Sequence, residues 1–176
     1  NIMMFSLKKQ LLNFRLKKSL KLLEDEIRET PKVIGSLGIL WDGLMPLDEV
    51  LIKDLATSLQ IPFKNISIIM VGVTEAIQQT ASFEILHLNT KDLGWLGKLP
   101  DSTHHFTHSN WDLILNFFDS KNPLLSFISA ESKGKLRLGF AKTDLRLNDL
   151  IFHLPSQEKN LFVDEAVRYI KIIITT

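Results

Sequence analysis

The chain contains no cysteine, and this absence removes several classes of protein from consideration. Without thiols there is no disulfide scaffold, no thiolate metal site and no cysteine nucleophile. Long apolar runs are also lacking, because a membrane-spanning helix needs about 18 such residues, whereas the run at 68–73 has the length of a strand. Nothing in the composition points outside the cell, so we expect a cytoplasmic protein.

Acidic side chains are missing from the first 23 residues. This segment instead carries six basic residues, Lys8, Lys9, Arg15, Lys17, Lys18 and Lys21. The whole chain has a net charge of +1, so the rest of it carries about −5. A mildly acidic body is a poor surface for nucleic acid, and any attraction to phosphate would have to come from the basic segment.

The chain contains enough apolar residues to form one hydrophobic core. With 45% hydrophobic residues, 176 residues can bury about 70% of the surface of the unfolded chain. Apolar runs predict strands at 32–41, 66–73, 83–88, 104–107, 111–118, 136–140 and 149–154. Helical patterns predict helices over 5–29, from Pro46, over 124–130 and over 162–174, and the segment 75–82 is left unassigned.

This alternation predicts an α/β fold, a three-layer Rossmann-like domain with a mainly parallel sheet and a long N-terminal basic helix. We expect two parts: residues 1–30 form the N-terminal basic amphipathic helix and residues 31–176 form a single α/β domain. The strand, helix, strand unit at 110–140 is expected to form the centre of the sheet. The order of the strands does not follow from these patterns.

The N-terminal helix has apolar side chains on two opposite sides. At 100° per residue, one stripe contains Phe5, Leu12, Leu16, Leu20, Leu23 and Ile27, and the other contains Met4, Leu7, Leu11, Phe14 and Leu22. A single sheet face can cover only one stripe, so we expect the other to contact another chain. Leu7, Leu11 and Phe14, with Lys17 and Lys18, are the candidate interaction residues.

Three kinds of partner are consistent with the sequence of this helix. The simplest is a second copy of the chain, which makes a homo-oligomer. A membrane surface is an alternative, but a membrane-surface helix typically has one apolar and one basic face. Nucleic acid is another, although only Phe5 and Phe14 place aromatic rings among the charges. The remaining interpretation is a helix that packs only against its own domain.

Polar side chains follow two of the predicted strands. Asp42 comes after Leu40 and Trp41, and Asn116 and Asp119 lie at the end of the strand at 111–118. The carboxyl ends of parallel strands border the ligand crevice of an open sheet, so these three residues are the candidate ligand-binding residues. The alternative is a turn at Asp42 and a helix start after Asp119.

No cofactor or metal is expected. Gly94 and Gly97 lack the Walker spacing, and the glycines at 35 and 38 lie inside a predicted strand, so neither pair predicts a phosphate loop. His104, His105 and His108 invite a metal interpretation, but in a strand His105 points away from the other two. Catalytic residues remain unknown, and no serine-nucleophile motif surrounds the serines.

Four short motifs carry a resemblance to a known family. They are Gly38-Ile39-Leu40-Trp41-Asp42 after the basic helix, Trp111-Asp112-Leu113-Ile114 before a helix, Leu138-Gly139-Phe140 and Asn148-Asp149-Leu150-Ile151. Together they resemble a family of small bacterial α/β proteins classed as a domain of unknown function. The resemblance implies a single α/β domain in the bacterial cytoplasm and adds no catalytic residue.

The function expected from the sequence is therefore a non-catalytic binding or assembly role. The alternative is an enzyme with a small-molecule site at the carboxyl ends of the parallel strands, near Asp42, Asn116 and Asp119.

Overall fold

The computed structural model describes residues 2–72, 82–154 and 158–176. The helices in these ranges are α1 (Ile2–Glu24), α2 (Glu49–Ser58), α3 (His104–His108), α4 (Pro123–Glu131) and α5 (Lys159–Thr175). The strands are β1 (Leu37–Asp42), β2 (Ile66–Val71), β3 (Ile85–Leu88), β4 (Asn110–Phe117), β5 (Lys133–Phe140) and β6 (Leu150–Phe152). Most of the unassigned segment at 75–82 lies outside the described residues. None of the helices in the described ranges combines the length and apolarity needed to cross a membrane.

The six strands form one sheet in which every neighbouring pair is parallel, in the order β3-β2-β1-β4-β5-β6. Every residue of β1 is buried, and six of the eight residues of β4 are buried. Strands covered on both faces need continuous apolar sequence, which explains the runs at 37–41 and 113–118. The expected parallel sheet is confirmed, and its order is that of doubly wound dinucleotide-binding domains.

Helices cover both faces of this sheet. On one face α1 packs against α4, and α3 contacts α4. On the opposite face α2 contacts α5, and Phe162 of α5 lies over a cluster of sheet aromatics, with its ring stacked on Phe140 at 5.1 Å. The chain is thus a three-layer Rossmann-like domain with the core on both sides of the sheet, as predicted.

Local sequence explains where two of the helices begin. Asp48 caps α2, since its Oδ1 accepts a hydrogen bond from the Leu51 N–H at 2.9 Å. Asn122 caps α4 in the same way, accepting from the Leu125 N–H at 3.1 Å, and Pro123 occupies the first turn. Side-chain acceptors at these positions satisfy N–H groups that have no partner within the helix.

The largest differences from the predicted elements concern two boundaries and one segment. The first helix ends at Glu24 rather than at 29, and the first strand begins at Leu37 rather than at 32. The segment 104–107, predicted as a strand, is the helix α3. Its Phe106 ring packs against Trp111 at 5.3 Å between ring centres and covers Gly38, so burial of one aromatic outweighs the β-propensity of the neighbouring threonines.

The side chain of Arg137 in β5 donates hydrogen bonds to the carboxyl end of α4. The side chain is fully buried, and its Nη1 donates to Ser129 O at 3.0 Å and to Ser129 Oγ at 3.1 Å. Its Nη2 donates to Ser132 O. Burial lowers the pKa of Arg137 to about 10, with a further lowering by the nearby charge of Arg28. The guanidinium therefore stays charged at neutral pH and caps the carboxyl end of α4.

Candidate functional site

The strand order creates a switch point between β1 and β4. The connection that leaves β1 runs through α2 on one face of the sheet, and the connection that leaves β4 runs through α4 on the other. A crevice opens where two neighbouring parallel strands send their connections to opposite faces. Two of the three candidate ligand-binding residues, Asp42 and Asn116, stand at the carboxyl ends of these two strands.

Asp42 is buried and shapes the turn that follows β1. Its Oδ1 accepts a hydrogen bond from the Leu44 N–H at 3.0 Å, and its carbonyl oxygen accepts from the Met45 N–H at 2.8 Å. Gly72, with φ +118°, lies beside this turn: a side chain there would approach Asp42 Oδ1 and the Gly43 backbone. The turn interpretation of Asp42 thus has direct geometric support.

Asn116 is fully buried and belongs to a polar network. Its Nδ2 donates to Asn148 Oδ1 at 2.7 Å and to Leu147 O at 3.3 Å, and these two acceptors fix the orientation of the amide. Asn148 Nδ2 donates in turn to Thr143 Oγ1 at 3.0 Å. Asn116 Oδ1 has no hydrogen-bond partner among the described residues.

Asn148 and Thr143 are members of this network that sequence analysis did not identify as site residues. Asn148 lies across the backbone of Gly139, where an added Cβ would come within 2.4 Å of its side chain. A sequence signal existed, because Leu138-Gly139-Phe140 and Asn148 occur in two of the four family motifs. What the motifs do not reveal is that the glycine makes room for the asparagine.

Asp119 lies in the loop between β4 and α4 and is half-buried. No hydrogen bond joins any two of Asp42, Asn116 and Asp119 within the described part of the chain. Leu40 and Asn116 are neighbours in register, so Asp42 and Asn116 lie on the same sheet face, about 8 Å apart by strand geometry. The structure therefore brings two of the three candidates to one face and leaves the third in the adjoining loop.

The second candidate site is the outer face of α1, which we define as Met4, Leu7, Leu11, Phe14 and Leu22. On the opposite side Leu12, Leu20 and Leu23 are buried in the core, and Leu16 packs against it. Four outer-face residues, Met4, Leu7, Phe14 and Leu22, are 54–70% exposed, whereas Leu11 is half-buried. Ile27, assigned by sequence to the inner stripe, is 99% exposed because α1 ends before it. The side chain of Phe5 lies outside the described residues.

A short turn, Trp95–Gly97, extends the outer face of α1. Lys8 Nζ donates to Leu93 O at 3.0 Å, and a side chain at Gly97 would meet the backbone at Leu12 at 3.5 Å. Trp95 is 82% exposed, and Leu96 adopts a left-handed φ of 58°. The turn thus presents two large apolar residues next to the helix, which sequence analysis missed because the segment reads only as a glycine-containing loop.

The three histidines of α3 do not form a metal centre in the described ranges, where no three His, Asp or Glu side chains converge suitably. His104 and His108 stack edge to face with ring centres 5.1 Å apart, while His105 lies beside Trp111. The absence of a specifically bound metal stays a prediction of the sequence.

The fold is that of a doubly wound α/β domain of the Rossmann type with a long N-terminal helix. The model of DUF6913, a family of unknown function, matches residues 8–173, and the chain belongs to this family. No curated protein and no solved structure shows a significant match to the chain.

Proposed function

We propose that this protein is a non-catalytic binding or assembly protein, and that the outer face of α1 binds a second copy of the chain. The observation that carries the proposal is the exposure of Phe14, Leu7, Met4 and Leu22 on a helix whose other side is already buried. Isolated exposed apolar residues are common on protein surfaces, but a contiguous stripe of them marks an interaction surface. We also infer that the protein is bacterial and cytoplasmic.

Apolar content alone does not identify the partner, and the geometry of α1 favours a second copy. Lys8 and Lys9 lie in the first half of the helix, Arg15, Lys17, Lys18 and Lys21 lie in the second half, and Glu24 and Glu26 stand at or just after its carboxyl end. An antiparallel pairing lets Lys8 and Lys9 of one helix approach Glu24 and Glu26 of the other, and it opposes the two helix dipoles. A two-fold axis across α1 produces this arrangement without any other component.

Trp95 and Leu96 fit the same proposal. Interfaces are enriched in exposed aromatic residues, which act as anchors when they enter a pocket of the partner. The left-handed backbone at Leu96 holds both side chains outward beside α1. In the proposed dimer, this turn borders the helix pair and enlarges the buried area beyond the helix stripe alone.

Light scattering over a range of concentrations tests this proposal. The full chain is expected to show dimer mass, and L11D/F14D is expected to dissociate, with a loss of affinity of about 100-fold or more because central interface anchors contribute at least about 2 kcal/mol each. The matched control is V50D/I172D. It places two aspartates on exposed apolar positions of α2 and α5, across the sheet, and should remain dimeric.

A monomeric full chain at all concentrations, unchanged in L11D/F14D, contradicts the proposal. Two further assays then identify the other partners. Flotation with anionic vesicles, lost in L11D/F14D, would favour a membrane surface. Salt-sensitive binding to nucleic acid, lost when Lys17 and Lys18 are changed to Gln, would favour nucleic acid.

The second candidate function is an enzyme with a small-molecule site at the switch point. The observation that favours it is Asn116 Oδ1, a buried acceptor without a partner in the described residues. Leaving such an acceptor unpaired costs about 1–3 kcal/mol, and a ligand that donates a hydrogen bond to it would recover that cost. Asp42 on the neighbouring strand and Asp119 in the adjoining loop would supply carboxylates to the same crevice.

A thermal-shift screen with nucleotides and small metabolites tests this candidate. A ligand that raises the melting temperature of the full chain, but not that of N116A or D42N, supports the site. The control is D54N, on an exposed position of α2. A ligand that acts equally on all four proteins does not bind at the switch point and contradicts this candidate.

A further inference from the structure

A second concave surface lies between α1, α3 and α4, away from both sites described so far. It is a cavity of about 280 Å³ lined by Arg15, Lys98, His104, His108, Glu131 and Lys133, among others. Lys133 is the first residue of β5, so the cavity lies toward the amino end of that strand, opposite to the switch point. None of these six residues belongs to the outer face of α1.

We propose that this cavity binds the phosphate group of a small soluble molecule. Three permanent cations, Arg15, Lys98 and Lys133, converge on it from distant parts of the sequence, while Glu131 is the one carboxylate in its lining. The three cations exceed the one carboxylate by two positive charges, and this excess matches the charge of a phosphate dianion. Arginine supplies a planar fork of donors and lysine a mobile point charge, the combination that recognises phosphate in proteins.

The charges of the lining are poorly neutralised by the protein itself. Glu131 accepts a hydrogen bond from Ser19 Oγ, and Lys98 has only a surface contact with Asp101, at 3.7 Å between Nζ and Oδ1. Among the described residues, neither Arg15 nor Lys133 has an ion-pair partner. Cations that line one concave surface repel one another, and a bound anion removes that repulsion.

The rest of the lining is fixed in place. Thr103 and Thr107 form part of it, and their hydroxyls donate to Pro100 O and Thr103 O, so they give a fixed wall but no free O–H donor for the anion. The carboxyl end of α4 lies nearby and would repel an anion, but its Ser129 and Ser132 carbonyls accept hydrogen bonds from the buried Arg137. That cation compensates the negative end of the helix dipole.

The volume of the cavity limits the size of the ligand that it can bind. Sites for drug-sized molecules measure about 300–1,000 Å³, so about 280 Å³ accommodates a phosphate with a small organic part. His104 and His108 also line the cavity, and their rings, packed edge to face, can contact that part. The proposal is independent of dimer formation, because it uses the inner flank of α1 and not its outer face.

Inorganic phosphate and pyrophosphate are the probes, titrated against the full chain at constant ionic strength with sodium chloride as the replacement salt. Saturable shifts of the Thr103 and Thr107 amide NMR signals are expected. R15Q/K133Q should weaken binding about tenfold or more, since each hydrogen bond from a charged donor contributes substantially. K32Q/K142Q removes the same charge from exposed positions outside the cavity and should bind like the wild type.

A second variant keeps the test decisive if R15Q/K133Q does not fold. E131Q retains the acceptor for Ser19 but removes the carboxylate, and it should bind phosphate several-fold more tightly. Non-saturable shifts that are equal in all variants overturn the proposal, as does E131Q binding no better than the wild type. Binding to phosphatidate vesicles that depends on Arg15 and Lys133, without any response to soluble phosphate, assigns the cavity to a lipid headgroup and also overturns it.

Discussion

Replacement of the buried Arg137 by methionine tests how the sheet is joined to α4. Methionine has a similar length but donates no hydrogen bond, so R137M leaves the carbonyls of Ser129 and Ser132 without the guanidinium. Three hydrogen bonds from a charged donor are worth about 1.5–3 kcal/mol each, or about 5–9 kcal/mol together. This is the gross loss on substitution.

The loss is offset in part by the charge that no longer has to be buried. Burial lowers the pKa of Arg137 to about 10, and a lowering of this size corresponds to about 3 kcal/mol, since each pH unit is worth about 1.4 kcal/mol. The expected net effect of R137M is a free energy of unfolding lower by about 2–6 kcal/mol. Urea denaturation followed by circular dichroism measures it.

R137K is the matched variant, because lysine keeps the positive charge but lacks the planar set of N–H donors of the guanidinium. One ammonium group cannot replace a guanidinium that spans both the Ser129 and the Ser132 carbonyls, so R137K is expected to be destabilised as well. If R137M is as stable as the wild type or more stable, the hydrogen bonds do not outweigh desolvation and the reasoning is wrong. Wild-type stability of R137K would show that charge alone suffices.

Three further predictions follow from single contacts. The folded-state pKa of Arg137 is lowered to about 10, so above that pH the unfolded chain binds more protons than the folded chain. The free energy of unfolding of the wild type relative to R137M should therefore rise above about pH 10 and be constant at lower pH. Urea denaturation from about pH 8 to 11 measures this difference. G139A should lower the free energy of unfolding by about 1–3 kcal/mol, since its Cβ would meet Asn148 at 2.4 Å, whereas G94A, with its nearest contact at 3.6 Å, should change it by less than about 0.5 kcal/mol. D48A removes the cap of α2 and should cost about 1 kcal/mol in thermal or urea unfolding; an unchanged stability would show that the cap is dispensable.

Elements of this fold were predictable wherever burial on both faces imposes continuous apolar sequence. The strands at 66–71 and 110–117 are of this kind, and a helix start at 119–123 follows from side chains that cap. The order of the strands was not predictable, because β1 pairs with β4 across more than seventy residues. Local periodicity contains no information about pairing over that separation.

The candidate sites also divide into features that local sequence predicts and features that depend on contacts between distant elements. The positions of Asp42 and Asn116 at strand ends were predictable because polar residues after apolar runs stand out in the sequence, and the exposure of the outer face of α1 followed from helical geometry. Asn148 and the fully buried Arg137 were missed, since their partners come from other elements. The helix α3 was misassigned because the burial of Phe106, which favours the helix, is a tertiary contact that local sequence does not reveal.

The most direct test of the α1 interface uses the absence of cysteine from the chain. A single cysteine at Lys18 of α1, carrying a spin label, reports whether two copies of the helix lie together. If the proposed interface forms, we expect a dipolar distance within about 35 Å, the length of a 23-residue helix, and a longer distance for a label at Lys171 of α5. No dipolar interaction from the Lys18 label, at a concentration well above that used for light scattering, would contradict the α1 interface.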